Sequence, residues 1–94
     1  MRRNQIKFLN FNPIIEQSNL NIIFNFDKAR VTIQCKNDEK IKTIINKFST
    51  KAEINEENYS FIYNAKKIDI NKNITTSELG IMDGQTIEVI KKIT

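Results

Sequence analysis

The hydrophobic period of this sequence changes near residue 36, and that change restricts the fold more than any other feature. Residues 20–35 alternate apolar and polar side chains in two short runs, which is the period of half-buried β-strands. Farther along, apolar side chains recur at the spacing i, i+3, i+4 and i+7 of an amphipathic helix, at Ile41, Ile44, Ile45 and Phe48. A sheet with one apolar face needs a cover, and this helix has a stripe wide enough to supply it.

The two alternating runs predict a β-hairpin, with Asp27-Lys28-Ala29 as its turn. The side chains predicted to face inward are Leu20, Ile22, Phe24, Phe26, Val31, Ile33 and Cys35. For the helix that follows, Asn37 and Asp38 are the candidate N-caps, with acidic charge in the first turn. We predict that this helix ends near Lys51 or Ala52.

Three more strands and one helical turn are predicted in the second half of the chain. In order, these segments are a strand at 59–63, a turn at Asn64-Ala65, a strand at 66–68, a polar loop at 71–76, a helical turn capped by Thr76 or Ser77 and ended by Gly80, a turn at Asp83-Gly84 and a strand at 86–90. The order ββαββ, helical turn, β predicts an α+β fold with one mixed sheet packed on one helix. We expect the last strand to lie beside the first, which leaves the second and fourth strands at the edges.

The first 19 residues show no clean period, so we predict an irregular N-terminal extension (1–19), one folded domain (20–91) and a short tail (92–94). The extension carries more apolar side chains than a solvated tail needs; they are Phe8, Leu9, Phe11, Ile14 and Ile15. Either the extension packs back on the domain, or it is a docking arm that lies on another protein. Because residues 1–15 are basic and contain no Asp or Glu, organelle targeting is a further alternative.

The composition argues against catalysis and against bound cofactors. The chain has no histidine, one cysteine and two glycines, so it lacks the usual groups for a zinc site, a Cys–His nucleophile or a glycine-rich phosphate loop. The one cysteine, Cys35, falls on an inward position, where a small buried hydrophobe is expected. We therefore predict no enzyme activity, no cofactor and no metal.

Charge and hydropathy argue against nucleic acid and membrane as partners, and leave proteins. The net charge is +4, but basic pairs are separated by acidic stretches, whereas nucleic-acid binders show a continuous basic face. No run approaches the roughly 20 apolar residues of a membrane span. A lone cysteine forms no internal disulfide, which favours an intracellular compartment, cytoplasmic or nuclear.

The predicted element order, together with the segment 79–89, resembles the β-grasp fold of the ubiquitin-like family. The resemblance covers residues 20–90, and its most specific part is Leu79-Gly80-Ile81-x-Asp83-Gly84-x-Thr86-Ile87-x-Val89. A second part is Ile54 followed by the strand Phe61-Ile62-Tyr63 and then Asn64-Ala65-Lys66-Lys67-Ile68. The phrase at 82–89 is similar to the SUMO branch, as is the irregular N-terminal extension.

The resemblance implies a binding face on the sheet, centred on an isoleucine of the third strand. Ile62 falls at that place, and Ile90 comes alongside it if the last strand pairs as predicted. Lys66 matches a lysine of the family's binding surface, whereas Ser60 and Glu88 replace an arginine and a non-acidic residue that are common there. The alternative is that Ile62 is an isolated exposed apolar residue, which needs no functional explanation.

The SUMO resemblance implies a second binding place along the edge of the second strand, where Arg30, Thr32 and Gln34 lie beside the helix. An open edge of this kind accepts an extended peptide by β-strand addition. Polar side chains at an edge also prevent aggregation, which is the alternative explanation.

Two functions follow from the resemblance. The first is a non-catalytic protein–protein interaction module, which docks on a partner or serves as a small subunit of a larger assembly. The second is a SUMO-like protein modifier, which needs a C-terminal diglycine. The sequence ends in Lys91-Lys92-Ile93-Thr94 with no glycine after Gly84, so the second function requires a tail beyond Thr94, and we expect the first.

Overall fold

The computed structural model describes residues 19–93, which form five strands, two α-helices and one short 3₁₀ turn. In chain order these are β1 (Asn19–Phe26), β2 (Ala29–Lys36), α1 (Ile41–Ala52), the 3₁₀ turn (Glu56–Asn58), β3 (Tyr59–Tyr63), β4 (Lys66–Lys67), α2 (Thr76–Leu79) and β5 (Thr86–Lys91). The predicted order and the α+β class are confirmed. Strand ends differ from the prediction by one residue, for example at Asn19, Ile68 and Lys91.

The strands form one mixed sheet in the order β2-β1-β5-β3-β4. β1 and β5 run parallel, and the other neighbours run antiparallel. The last strand therefore lies beside the first, and β2 and β4 are the edge strands, as predicted. Because β5 is paired on both sides, its inward residues Ile87 and Val89 lie opposite Phe24 and Phe61.

The core lies between the sheet and α1. Its buried apolar residues are Ile22, Phe24, Ile33, Cys35, Ile41, Ile44, Ile45, Phe48, Phe61, Ile68, Ile81, Ile87 and Val89. Phe48 of α1 stacks on Phe24 with ring centres 4.4 Å apart and meets Phe61 edge-on at 6.0 Å. All four residues of the predicted helical stripe are therefore in the core, and Ile54, just after the helix, is partly buried against it.

The predicted start of α1 is wrong. Neither Asn37 nor Asp38 caps the helix, which begins at Ile41 and has no acidic residue in its first turn. The residue at the N-cap position, Lys40, makes no side-chain cap hydrogen bond. The Ile41 N–H instead donates to the backbone carbonyl of Ile74 at 2.9 Å, so a tertiary contact satisfies a donor that a cap would otherwise satisfy.

The predicted cap of α2 is also displaced, by one residue. Thr75 is the N-cap: its hydroxyl accepts from the Glu78 N–H at 3.1 Å, and its own N–H donates to the Glu78 carboxylate at 2.9 Å. This is a reciprocal capping box. Thr76, which we predicted as a cap, is fully buried, and Gly80 ends the helix with φ +85° as predicted.

Both hairpins are closed by two-residue turns with left-handed backbone. The φ angles are +48° and +67° at Asp27 and Lys28, and +56° and +66° at Asn64 and Ala65. Such turns match the twist of the flanking strands. The first turn is one residue shorter than predicted, because Ala29 already belongs to β2.

Replacing Ala65 by glycine is expected to stabilise the protein by about 0.5–1 kcal/mol, since glycine adopts a positive φ without the steric cost of a Cβ atom. The matched control is Ala29→Gly, at an exposed position in a regular strand, where glycine is expected to destabilise. Urea unfolding of both variants checks the prediction, and a stability loss in Ala65→Gly would contradict it.

Candidate functional site

The outer face of the sheet, opposite the core, carries the residues singled out on β3 and β5. Side chains alternate along a strand, so buried Phe61 and Val89 place Ile62 and Ile90 on the opposite, outer face. In the antiparallel β3–β5 register, Ser60 lies opposite Ile90 and Ile62 lies opposite Glu88. Ile62 and Ile90 are therefore diagonal neighbours, within reach of each other's side chains.

One expected member of this face lies elsewhere. Lys66 is exposed, but it pairs with Tyr63 at the end of the hairpin. Residues paired across two strands share a face, so Lys66 is on the same side of the sheet as Tyr63, which is the inner side. The residue directly opposite Ile62 on β4 is Lys67, which sequence reasoning missed. The signal was available in the two-residue turn Asn64-Ala65, because turn length fixes the register of the strands it joins.

We call the set Ser60, Ile62, Lys67, Glu88 and Ile90 the β3–β5 patch. Ile90 keeps 53% of its surface exposed, whereas Ile62 and Ser60 are half-buried. Ile23 is on the same outer face but outside the patch, since Thr86 lies opposite it on β5.

Two clefts share lining residues with the patch. One, of about 450 Å³, is lined by Phe26, Asp27, Tyr59, Val89, Ile90 and Lys91. The other, of about 460 Å³, includes Ser60 and Lys67 in its lining and extends toward the 3₁₀ turn and the loop after β4. The patch is therefore a partly apolar surface with a concave site next to Ile90, and not a flat polar sheet.

The charged centre of the patch is Glu88. It lies opposite Asn25 of β1, and the Asn25 side-chain amide donates to both carboxylate oxygens, at 3.0 and 3.3 Å. Glu88 itself has no ion-pair partner closer than 4 Å among residues 19–93. The patch thus presents an oriented carboxylate between two isoleucines.

The β2 edge is only partly open. The closing pair Phe26–Ala29 fixes the hydrogen-bond pattern of the hairpin, so Arg30, Thr32 and Gln34 direct their backbone groups away from β1, toward the edge. The Thr32 carbonyl accepts from the Lys51 ammonium at 3.3 Å. The three side chains are exposed, as predicted, but the middle residue of the expected peptide-binding edge already has a partner from α1.

At the end of β2 nearest Lys36, Glu39 occupies an outward backbone group of the edge. Its carboxylate accepts from the Lys36 N–H at 2.9 Å and from the Lys47 ammonium at 2.5 Å. Partial burial works to raise the pKa of Glu39, but these two hydrogen bonds, together with the positive charges of Lys47 and Lys36, outweigh it and hold the pKa below its ordinary value. A peptide that adds to β2 therefore finds its available hydrogen-bonding groups in the backbone around Arg30 and Gln34.

Cys35 is not placed for chemistry. Its side chain is in the core, and burial raises the pKa of the thiol from 9.0 to about 11, with a further contribution from the nearby Glu39 charge. The thiolate is the reactive form, so this thiol is inert near neutral pH.

The raised pKa of Cys35 makes the free energy of unfolding depend on pH. The folded pKa lies above the unfolded pKa, so the stability held by the protonated thiol is fully present below pH 9 and is lost as the pH rises through about 11. At pH 10 the wild type should lose about 1 kcal/mol more, relative to pH 7.5, than Cys35→Ala does. Urea unfolding at both pH values measures this difference, and an equal loss in the two proteins would contradict it.

In the part of the chain that the structure describes, no three His, Cys, Asp or Glu residues are grouped closely enough to hold a metal ion. Among the helices of residues 19–93, none is long and apolar enough to cross a membrane. The predicted docking arm and targeting segment, with Phe8, Leu9, Phe11, Ile14 and Ile15, lie outside the described residues.

The mixed five-stranded sheet, its parallel central pair and the single covering helix define a ubiquitin-like β-grasp domain. The chain belongs to the family described as Ubiquitin-2 like Rad60 SUMO-like, whose sequence model matches residues 19–90. The resemblance read from the sequence is therefore confirmed, including its SUMO-like character. No curated protein matches the chain by sequence.

Solved structures share the fold at low sequence identity. The ubiquitin-like domain of yeast Ddi1 is 17% identical with a TM-score of 0.74, over 86% of this chain and 98% of that one. The ubiquitin-like domain of Plasmodium falciparum Dsk2 is 16% identical with a TM-score of 0.70, over 80% and 100%. A designed protein based on ubiquitin is 22% identical with a TM-score of 0.70, over 81% and 92%.

Proposed function

We propose that this protein is a non-catalytic interaction module that binds a partner protein through the β3–β5 patch, either by docking on it or as a small subunit of a larger assembly. The observation that carries the proposal is the exposure of Ile90, 53%, which is a diagonal neighbour of Ile62 on the outer face and helps to line a cleft. Contiguous exposed apolar surface marks contact sites, and a concave neighbour gives a partner side chain somewhere to insert.

The non-catalytic part of the proposal has separate support. The sequence contains no histidine, and its cysteine is buried with a raised thiol pKa. Histidine is the most frequent general base near neutral pH, and cysteine is the nucleophile that needs the least activation there. A free cysteine also supports an intracellular location, cytoplasmic or nuclear.

The β2 edge is a weaker candidate for the same function. Its outward backbone groups support strand addition, but Lys51 and Glu39 already occupy two of them. A peptide that pairs with β2 has to displace the Lys51 contact, which a partner on the β3–β5 patch leaves in place. We therefore propose the patch as the primary binding site.

The test is purification of partners from the native organism, with three versions of the tagged full chain as bait. Stoichiometric partners are expected with the wild type, and their recovery should fall at least tenfold with the double variant Ile62→Ala/Ile90→Ala. The control is Ile23→Ala, which makes one of the same substitutions on the same outer face, at a position opposite Thr86 and outside the patch. Equal recovery by the double variant and the wild type would contradict the proposal.

A second candidate function is a SUMO-like modifier, and the match to a SUMO-like family model favours it. It requires a diglycine after Thr94 in the full gene product. Mass spectrometry of the endogenous protein separates the candidates: glycine remnants on partner lysines support the modifier, and partners held without a covalent link support the module.

A further inference from the structure

Glu88 sits in the middle of the β3–β5 patch, and the sheet determines what surrounds it. β5 is the central strand, so Glu88 has Asn25 on one side and Ile62 on the other, with Ile90 two residues along on its own strand. Its carboxylate is exposed on the face where a partner would lie.

The nearest neighbours orient this charge without neutralising it. The Asn25 amide donates to both carboxylate oxygens, at 3.0 and 3.3 Å, but an amide carries no net charge. The basic residues in the same cross-strand row, Arg30 and Lys67, lie one strand beyond Asn25 and Ile62, which is two strand spacings or roughly 10 Å from Glu88. That distance separates the strand backbones, and neither side chain forms an ion pair with Glu88 closer than 4 Å.

A partner that covers both isoleucines also removes water from Glu88. An ionised carboxylate that loses water without gaining a cation is strongly unfavourable, so a purely apolar partner surface does not fit this patch. The same carboxylate becomes favourable when the partner brings a positive charge, because a desolvated, well-oriented pair is stronger than one in water.

Resting on the proposed function, we infer that the partner segment for this patch is apolar with one basic residue, which is seated against Glu88 between the side chains that contact Ile62 and Ile90. Arginine fits better than lysine, since its planar guanidinium reaches both carboxylate oxygens from above while Asn25 holds them from the side. Glu88 then acts as the residue that selects among apolar partners by charge.

The probe for this inference is a displayed library of random twelve-residue peptides, selected on the full 94-residue protein. Peptides that bind the wild type but not Ile62→Ala/Ile90→Ala define binders of the patch. These should be enriched in arginine or lysine flanked by apolar residues. Their affinity should fall about tenfold or more on Glu88→Gln, which keeps the shape and an oxygen acceptor for Asn25 but removes the charge.

Ionic strength supplies a second readout. Raising NaCl to 1 M should weaken binding to the wild type and leave binding to Glu88→Gln nearly unchanged. Patch-dependent peptides without basic enrichment, with equal affinity for Glu88→Gln, would overturn the inference and leave the patch intact as a binding site. If no selected peptide depends on Ile62 and Ile90, the patch itself fails and the inference with it.

Discussion

The Phe48→Ala variant should lose about 3–5 kcal/mol of unfolding free energy, the largest effect we expect from a single substitution. Phe48 is fully buried on the inner stripe of α1, and its ring stacks on Phe24 at 4.4 Å. It also meets Phe26 and Phe61 edge-on, at 5.7 and 6.0 Å. Removing this ring leaves a cavity between α1 and the rings of β1 and β3, and close-packed interiors relax only partly into such a space.

Urea unfolding followed by circular dichroism measures the loss. The control is Phe26→Ala, a partly buried ring at the rim of the same aromatic cluster, which should lose clearly less. A domain of this size has about 5–15 kcal/mol in total, so the Phe48 variant should be marginal at 37 °C. A loss of about 1 kcal/mol or less would mean that α1 does not pack on the sheet as described.

The Thr76→Val variant should lose about 1.5 kcal/mol, although valine has nearly the same shape. Thr76 is fully buried, and its hydroxyl oxygen lies 3.0 Å from the Lys36 carbonyl and 2.6 Å from that of Asn37. Valine removes both contacts, but each carbonyl keeps one backbone N–H donor, from Glu39 at 3.1 Å and from Ser77 at 2.9 Å. The loss is therefore the net contribution of the hydroxyl, about 1.5 kcal/mol, at the upper end of the range for one hydrogen bond. The contact joins the start of α2 to the β2–α1 loop across about 40 residues of chain.

Thr76→Ser is the matched comparison, since it keeps the hydroxyl and removes only a methyl group, for which about 1 kcal/mol is expected. Chemical unfolding of both variants tests whether the hydroxyl or the methyl group matters more. If the serine variant were the less stable of the two, the hydrogen bond would not be what fixes this loop.

The elements and the order of the sheet were predictable because they depend on local period. The alternation at residues 20–35 and the helical stripe that ends at Phe48 each indicate which face of the element is buried. A sheet with one apolar face and one helix to cover it can pack in few ways. The placement of the last strand beside the first also followed, and it leaves β2 and the two-residue β4 at the edges.

The helix starts were not predictable to the residue, because tertiary contacts decide them. Asn37 and Asp38 have good capping side chains, yet α1 begins after them where the Ile74 carbonyl accepts its first N–H. At α2, both Thr75 and Thr76 can cap, and burial of the second leaves the cap to the first.

The candidate site was predictable in its apolar part and not in its charges. The alternation of β3 and β5 places Ile62 and Ile90 on one face whatever the details of the turns. Lys67 replaces Lys66 in the patch because a turn with two left-handed residues sets the β4 register. The Lys51 contact at the β2 edge was missed because it depends on where a flexible side chain of α1 reaches.

Hydroxyl-radical footprinting of the native complex tests the central claim most directly, since it measures side-chain exposure with no substitution. Ile90 and Met82 are both exposed in the free domain, at 53% and 65%, and only Ile90 belongs to the β3–β5 patch. Labelling of Ile90 should fall severalfold in the complex relative to the free protein, while labelling of Met82 stays constant. Unchanged labelling of Ile90, with protection elsewhere on the domain, would contradict binding through the patch.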